Sequence, residues 1–385
     1  MNMIAMLFHK NIPTATMEIS EDSGAILRIK CHSPEHMPFL REMSLKEINF
    51  WWKHRAVPDS RKDIRKYLKE EGVDNTLKLL SKNLALSLSD CYWVCPGSLN
   101  LNWERVNLYH NSENITFSDS DGNMFSNNPN GSLNGNMEKE AFHEGSNWNL
   151  RKYSETSGGE QCINEKFSNW IHERQGFLQY VKYELEFQND RCVSCVCPFF
   201  TGEKVEFITA YCLAESKKQR QDVSNFEQYI ELCTSLGLQE TEVRNFMDYM
   251  VLFDFIITNT DRHYQNFGIL RNPDNLKAIS LAPVFDCGNS MFYKNDYRMT
   301  APEILNLEIA SMAKREEKML EFITNRSILN IELLPSKEET KRFYMENGIG
   351  EPKAEIISEN YQTKIDMLSR FQAGQKISRY TVRDW

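Results

Sequence analysis

The chain has 385 residues, of which 41% are hydrophobic and 26% charged, so it can bury a large core and is expected to form two or three lobes. Its 45 basic and 54 acidic residues give a formal net charge of -9, which argues against bulk attraction to nucleic acid or anionic membranes. Residues 1–8 form a short apolar run without a basic stretch before it, and no later run is long and apolar enough to span a membrane. We therefore expect a soluble globular protein without a signal peptide.

The N-terminal region, residues 1–109, is predicted to begin with short strands, one of them at residues 25–30. Ser44 is followed three positions later by Glu47, which is typical of a capping box at the start of a helix. Helices are predicted over residues 44–52, 59–70 and 76–86. No basic residues are interleaved with the aromatic pairs at residues 51–52 and 92–93, so we expect these rings to pack in the core rather than to stack on bases.

Residues 110–140 are rich in Asn, Ser, Gly and Asp and poor in apolar residues, which favours a loop or mobile segment. Gly131 and Gly135 in this segment would let backbone amides approach phosphate groups closely. A plain linker fits the composition equally well.

A strand is predicted over residues 148–153, and about thirteen residues later a helix opens at residues 164–167. The strand carries Lys152 and the helix carries Glu165. A kinase needs a strand lysine on the α- and β-phosphates of ATP and a helix glutamate that fixes this lysine. Exposed Lys and Glu residues without a shared role would give the same spacing.

Residues 177–186 and 191–200 alternate as a strand pair and would complete a small β-rich lobe. Cys192, Cys195 and Cys197 lie in the second strand, where we expect buried, reduced thiols rather than a metal site because no second ligand pair is near. Reduced thiols indicate a reducing cytoplasm. Residues 199–213 are predicted to form the hinge to which adenine would bind.

The chain becomes helical after residue 217. Helices are predicted over residues 225–236, 240–258, 301–325, 336–347 and 352–371. The helix at residues 240–258 has a broad apolar stripe and leads directly into the segment that can be interpreted chemically.

That segment, residues 260–270, places Asp261, His263 and Asn266 within six positions before the chain becomes apolar again. Asp286 then follows an apolar run that we interpret as a strand. Phosphoryl transfer from ATP uses an Asp to orient the attacking hydroxyl, and an Asn and a second Asp as oxygen ligands of magnesium. The spacing from Asp261 to Asn266 equals that of the Asp and Asn in the catalytic loop of protein kinases.

Three other interpretations fit this segment less well than phosphoryl transfer. A solvated turn with a helix cap would also use an Asp-Arg-His triplet, but both acids here close apolar runs in a compatible order. A zinc site would need more His or Cys ligands than the single local His263. A Ser-His-Asp hydrolase would need a nucleophile on a sharp Gly-x-Ser-x-Gly turn, a pattern that we do not find.

Residues 259–268 and 282–290 resemble the catalytic core of HipA-like serine/threonine kinases, specifically the stand-alone bacterial branch. Residues 52–58, 89–94 and 102–107 are similar to the N-terminal segments of the same branch, so that the resemblance covers most of the chain. Phosphoinositide lipid kinases also carry an Asp-Arg-His triplet with an Asn three residues after the His, and they are the competing family.

The resemblance implies an α+β, bilobal fold similar to protein kinases, with a small β-rich lobe at residues 110–215, a larger helical lobe at residues 216–385 and an additional N-terminal region. The flexible phosphate loop of the family precedes its lysine strand, which favours Gly131 and Gly135 as phosphate-binding residues.

The resemblance also implies the roles of individual side chains. Asp261 would orient or deprotonate the acceptor hydroxyl, and Asn266 and Asp286 would hold magnesium. Lys152, fixed by Glu165, would hold the phosphates of ATP, with Arg151 as the rival if the alignment slips by one position. His263 would be structural, because Asp261 already fills the role of the base.

The implied function is ATP- and Mg²⁺-dependent phosphorylation of a serine or threonine hydroxyl in a protein. A lipid or small-molecule kinase, or a nucleotide-binding pseudokinase that acts as an interaction module, remains as an alternative. An antitoxin or another regulatory protein is a possible partner, whereas we expect no direct contact with nucleic acid or membrane, and a cytoplasmic location.

Overall fold

The computed structural model describes residues 2–62, 64–111, 114–135, 137–145, 147–154 and 158–382. The N-terminal region consists of an antiparallel four-stranded sheet, in the order β3-β2-β1-β4, with helices packed on it. Its strands are β1 Asn2–His9, β2 Ile12–Ser20, β3 Ile26–Cys31 and β4 Tyr92–Pro96. Its helices are α1 Leu45–Arg55, α2 Ile64–Glu70, α3 Thr76–Lys82 and α4 Trp103–Val106. Trp52 and Trp93 are fully buried, which confirms the predicted packing role of the aromatic pairs.

The start of α1 follows the predicted capping box. The Ser44 hydroxyl accepts from the backbone N–H of Glu47, and the Glu47 carboxylate accepts from the backbone N–H of Ser44. The next two helices are shorter than predicted. Helix α2 begins at Ile64, and the part of the prediction that falls on Asp63 lies outside the described residues. Helix α3 ends at Lys82 because Leu84 and Ala85 adopt left-handed backbone angles.

A second antiparallel sheet, in the order β7-β8-β10-β9, carries the predicted lysine strand. Its strands are β7 Lys139–Glu144, β8 Asn147–Tyr153, β9 Glu184–Gln188 and β10 Arg191–Pro198. The prediction that residues 110–140 form only a loop is wrong in part, because β5 Thr116–Ser118 and β6 Met124–Ser126 pair as a hairpin. The buried free thiols of Cys192, Cys195 and Cys197 lie on β10.

Helix α5 Glu160–Gln175 packs against β10 and begins four residues earlier than predicted. Gly159 precedes it with a φ of +73°, and an added Cβ there would lie 2.5 Å from the carbonyl oxygen of Cys192, so this close approach needs glycine. The strand predicted over residues 177–186 forms only from Glu184. Residues before it pair with the segment at Val284 instead, since Val181 N–H donates to the Val284 carbonyl at 2.9 Å.

A third sheet has three strands, in the order β11-β12-β13, and its β12 begins two residues after Asn266. Its strands are β11 Glu206–Thr209, β12 Gly268–Arg271 and β13 Ala278–Leu281. The apolar run at residues 282–285 is not a strand, so the prediction that Asp286 ends one is wrong. Asp286 lies in a loop with a φ of +58°, held by tertiary hydrogen bonds that the sequence pattern does not show.

The remaining helices form the C-terminal part of the described chain. They are α6 Ala210–Ser216, α7 Asn225–Ser235, α8 Glu240–Ile257, α9 Ala301–Leu305, α10 Glu316–Met319, α11 Lys337–Glu346 and α12 Glu351–Gln372. Helices α7, α8, α11 and α12 match the predicted spans closely, and the predicted apolar stripe of α8 is buried. Within the described ranges, no helix has the length and apolarity needed to cross a membrane.

The single helix predicted over residues 301–325 is wrong. Helix α9 ends at Leu305, and the chain between α9 and α10 makes tertiary contacts instead of helical ones. The backbone N–H of Ala310 donates to the carbonyl of Thr260 at 2.9 Å, and the Arg315 guanidinium donates to the carbonyl of Asn306. The segment therefore supports the loop that begins at Thr260, and these contacts override its local helical pattern.

Candidate active site

One cavity of about 530 Å³ brings together most of the predicted site residues. Lys152, Asp261, Asn266, Asp286 and Gly135 all line it. They come from β8, from the loop after α8, from the loop after β13 and from the segment before β7.

The other two predicted residues lie behind the wall of this cavity. Glu165 is 1% exposed and contacts Lys152 from α5. Gly131 is buried and packs against the Asn83 side chain, and its carbonyl accepts from the backbone N–H of Val57 at 3.3 Å.

Lys152 is the central cation of the site. Its Nζ donates to Glu165 Oε1 at 2.8 Å, to Asp286 Oδ1 at 2.6 Å and to the Tyr183 hydroxyl at 3.1 Å. Burial alone would lower the pKa of Lys152, but the carboxylates of Asp286 and Glu165 outweigh it and raise the pKa well above its ordinary value. The ammonium is therefore charged and points into the cavity.

Arg151 points to the opposite face of β8, because side chains alternate along a strand. Its guanidinium donates to both carboxylate oxygens of Glu186, at 2.7 and 3.0 Å, and to Glu140 at 3.0 Å. The structure thus brings Lys152, and not Arg151, into contact with Glu165 and Asp286.

The loop that carries Asp261 is closed by short-range hydrogen bonds. Helix α8 ends at Ile257, and the next residue, Thr258, has a φ of +50° and turns the chain away from the helix axis. The backbone N–H of Asp261 then donates to Asn259 Oδ1 at 3.1 Å, and Asn266 Nδ2 donates to the Asp261 carbonyl at 2.9 Å. The amide nitrogen of Asn266 is thereby engaged, and its side-chain oxygen is the group that could accept a metal.

Arg262 holds this loop in place, a role that the sequence interpretation missed. Its side chain is 2% exposed and forms a two-pronged ion pair with Asp254 of α8, with both distances at 2.9 Å. It also donates to the carbonyl oxygens of Asn266 at 3.0 Å and Phe285 at 2.5 Å. One buried guanidinium therefore connects α8, the Asp261 loop and the residue before Asp286.

Asp286 is held from the other side by α5. The backbone N–H of the next residue, Cys287, donates to Glu165 Oε2 at 2.8 Å. Burial favours the neutral carboxyl, but the Lys152 ammonium holds the pKa of Asp286 well below its usual range. Asp286 and Asn266 both line the cavity, and carboxylate and amide oxygens are ligands that Mg²⁺ prefers.

Lys139 is a second cation at the cavity, and the sequence interpretation did not select it. It lies opposite Lys152 across the β7–β8 pair, and its Nζ donates to the carbonyl of Asn134 at 2.7 Å. Desolvation lowers the pKa of Lys139 to about 8, although the nearby Asp286 carboxylate acts in the opposite direction. The signal in the sequence that could have identified Lys139 is its position just after the segment with Gly131 and Gly135.

His263 lies at the edge of the Asp261 carboxylate. Its Nε2 is 3.9 Å from Asp261 Oδ1, beyond hydrogen-bond distance, and its side chain is 41% exposed. Its ring Nδ1 pairs instead with the backbone N–H of Gln265 at 3.2 Å. This geometry agrees with a local structural role.

Comparisons with known proteins bear on this fold and cavity. Residues 178–359 match the model of the HipA-like C-terminal domain. The structure of HipA from Shewanella oneidensis MR-1, a toxin–antitoxin system solved with HipB and its operator DNA, aligns over 99% of both chains with 12% identity and a TM-score of 0.57. The Helicobacter pylori proinflammatory kinase CtkA aligns over 62% of this chain and 96% of its own, with 15% identity and a TM-score of 0.44. No curated protein matches the sequence.

The alignment with the HipA structure over 99% of both chains shows that the two share a mixed α/β fold. The match with the HipA-like C-terminal domain spans residues 259–268 and 282–290, and it confirms the resemblance seen there in the sequence. The expectation of no nucleic-acid contact receives no support, since the HipA structure contains operator DNA.

Proposed function

We propose that the protein transfers the γ-phosphoryl group of ATP to a serine or threonine hydroxyl of a protein, with Mg²⁺ as the metal. One observation carries this proposal. The Lys152 ammonium donates hydrogen bonds to both Glu165 and Asp286 at the wall of the cavity. Asp261 and Asn266 line the same cavity. A phosphate-binding lysine, its fixing glutamate, two metal ligands and a hydroxyl-orienting carboxylate are the parts that phosphoryl transfer needs.

Each residue has a distinct task in this mechanism. Lys152 binds phosphate oxygens, and Glu165 keeps its ammonium in position. Asp261 accepts a hydrogen bond from the acceptor hydroxyl, which aligns the oxygen for attack and receives its proton. The phosphoryl group passes to that oxygen as its bond to ADP breaks, and the negative charge that leaves with ADP lies near Lys152.

Asn266 and Asp286 fit a magnesium ion by their chemistry. Both present oxygen atoms at the cavity wall, and the pKa of Asp286 is held low by Lys152, so its carboxylate is ionised. Bound magnesium supplies charge neutralisation to the phosphate oxygens.

Incubation of the purified protein with γ-labelled ATP, Mg²⁺ and cell extract tests this proposal. We expect label in protein, on phosphoserine or phosphothreonine after acid hydrolysis. Asp261→Asn keeps the side-chain shape and removes the charge, so incorporation is expected to fall by about three orders of magnitude or more while the fold is kept. Label in lipid or in a small molecule would move the function to another kinase class. Wild-type incorporation by Asp261→Asn would refute the catalytic assignment.

We also infer a regulatory partner of the antitoxin class. The support is the alignment over the whole chain with HipA, whose structure contains HipB. Co-expression with the product of the neighbouring gene, followed by size-exclusion chromatography, tests this inference. Co-elution supports it, and separate elution of two folded proteins contradicts it.

A further inference from the structure

We propose that Asn289 orients the Asp261 carboxylate for phosphoryl transfer, and that Gln161 of α5 fixes the orientation of Asn289. This inference deepens the proposed function and rests on it. Neither residue is assigned a contact with the reacting atoms, so both are positioning residues.

Asn289 contacts Asp261 and the residue before it. The side-chain Nδ2 of Asn289 donates to Asp261 Oδ2 at 2.8 Å. The backbone carbonyl of Asn289 accepts from both the backbone N–H and the hydroxyl of Thr260, each at 3.1 Å. The other carboxylate oxygen, Oδ1, lies on the side of His263. Because one oxygen is held by a donor, the other is presented in a defined direction, which a group that aligns a hydroxyl requires.

Gln161 determines which end of the Asn289 amide faces Asp261. Gln161 is 2% exposed, and its Nε2 donates to Asn289 Oδ1 at 3.0 Å. The amide oxygen of Asn289 is thereby directed to Gln161 and its nitrogen to Asp261. The opposite orientation would place an oxygen against the Asp261 carboxylate, which is repulsive, and a nitrogen against the Gln161 amide nitrogen.

The same face of α5 holds the whole segment from Asp286 to Ser290. Gln161, Asn164 and Glu165 are spaced at i, i+3 and i+4, so they lie on one side of the helix. Asn164 Nδ2 donates to the carbonyls of Gly288 at 3.0 Å and Ser290 at 2.8 Å. Glu165 accepts from the Cys287 N–H and also holds Lys152. One helix face thus positions the phosphate-binding lysine, the metal-binding segment and, through Asn289, the carboxylate that orients the hydroxyl.

The test compares Asn289→Ala and Gln161→Met with the wild type and with Asn275→Ala, a matched control in an exposed turn. The readouts are the initial rate of ATP hydrolysis and of label transfer from γ-labelled ATP with Mg²⁺, the KM for ATP and the thermal unfolding midpoint. Loss of a supporting hydrogen bond at a reacting group typically costs about 10–100-fold. We expect Asn289→Ala to lose kcat by about this factor and Gln161→Met by a smaller factor, with the KM for ATP close to that of the wild type.

Combining the substitution with Asp261→Asn separates a positioning role of Asn289 from a general structural effect of its loss. If Asn289 acts through Asp261, Asn289→Ala should cause no further loss of kcat when Asp261 is already Asn. A full additional loss in that background, or an equal rise in KM, would overturn the inference. A folded Asn289→Ala protein with the kcat of the wild type would also overturn the inference. If the wild type itself shows neither hydrolysis nor transfer, the proposed function fails, which is a different result. Should Asn289→Ala fail to fold, Gln161→Met carries the same test because it keeps the side-chain volume.

Discussion

At the scale of single residues, the Lys152 ammonium is the ion-pair partner of two carboxylates, Glu165 and Asp286. Without Lys152, both would lose this counter-ion. We expect Lys152→Ala to lower turnover by at least about 100-fold, and to destabilise the fold by about 3–5 kcal/mol, because buried charges without a partner are costly. Arg151→Ala is the matched control, since its guanidinium contacts Glu186 and Glu140 on the other face of the strand. Turnover and urea denaturation measure both effects. A larger loss of turnover from Arg151→Ala would transfer the role by one residue.

The lowered pKa of Lys139 leads us to expect that ATP binding depends on pH. Its pKa is lowered to about 8, from the ordinary value of 10.5, because the surrounding protein desolvates the ammonium. A phosphate bound beside Lys139 would favour its charged form, so we expect affinity for ATP to be full well below pH 8 and to fall as the pH rises through 8, by at most about tenfold per pH unit. Lys139→Arg stays charged and should remove this dependence. Titration of ATP binding between about pH 7 and 9.5 measures it. An unchanged slope in Lys139→Arg would assign the dependence to another group.

At the scale of elements, the loop that carries Asp261 and Asn266 leads directly into β12, where Gly268 lies opposite Thr209 of β11. A Cβ at Gly268 would lie 2.1 Å from the carbonyl oxygen of Ile208, so the two strands could not keep their spacing. We expect Gly268→Ala to reduce the free energy of unfolding by about 1–3 kcal/mol and to lower turnover through the displaced loop. Gly202→Ala is the control, because nothing lies within 4 Å of its added Cβ. Equal urea midpoints for the two variants would contradict this expectation.

Elements with their own local signals could be predicted from the sequence, and elements held by distant partners could not. Helix α8 has an apolar stripe over five turns, and α1 has a capping box, so both were recognised from a few neighbouring residues. The motif around Asp261 was recognised for the same reason. The loop conformation of Asp286 and the broken helix after Leu305 depend on hydrogen bonds to residues far along the chain, which a local pattern does not contain.

The same limit explains the supporting residues of the site. Lys152 and Glu165 lie thirteen positions apart, a spacing that a known mechanism could select. Gln161 and Asn289 are separated by 128 positions, and only the packing of α5 on the segment after Asp286 brings them together. Arg262 stood inside the motif, but its buried partner Asp254 becomes evident only when α8 and the loop are placed.

At the scale of the whole molecule, a buried charge cluster connects the N-terminal sheet to the sheet that follows the catalytic loop. Glu206 of β11 is fully buried and contacts His9 of β1 at 2.9 Å and Arg271 of β12 at 2.8 Å. The backbone N–H of Phe207 also donates to the carbonyl of Ser89 at 2.8 Å. Residues 1–109 are therefore expected to unfold together with the rest of the chain in one transition.

Glu206→Gln tests this coupling. The change keeps the side-chain shape but leaves Arg271 as a buried charge without its counter-ion, so we expect the free energy of unfolding to fall by about 3–5 kcal/mol at neutral pH.

Burial raises the pKa of Glu206, but His9 and Arg271 together lower it below 4.5. A carboxyl whose pKa is lowered by folding contributes its stability at every pH above 4.5, and loses this contribution as the pH falls through the folded-state pKa. The difference between wild type and Glu206→Gln should therefore be constant from about pH 7 to 5 and shrink below about pH 4. Urea denaturation, followed by both tryptophan fluorescence and far-UV circular dichroism, measures the difference and the number of transitions. Two separate transitions in the wild type, or a difference that grows at low pH, would show that the cluster does not couple the N-terminal region to the catalytic part of the chain.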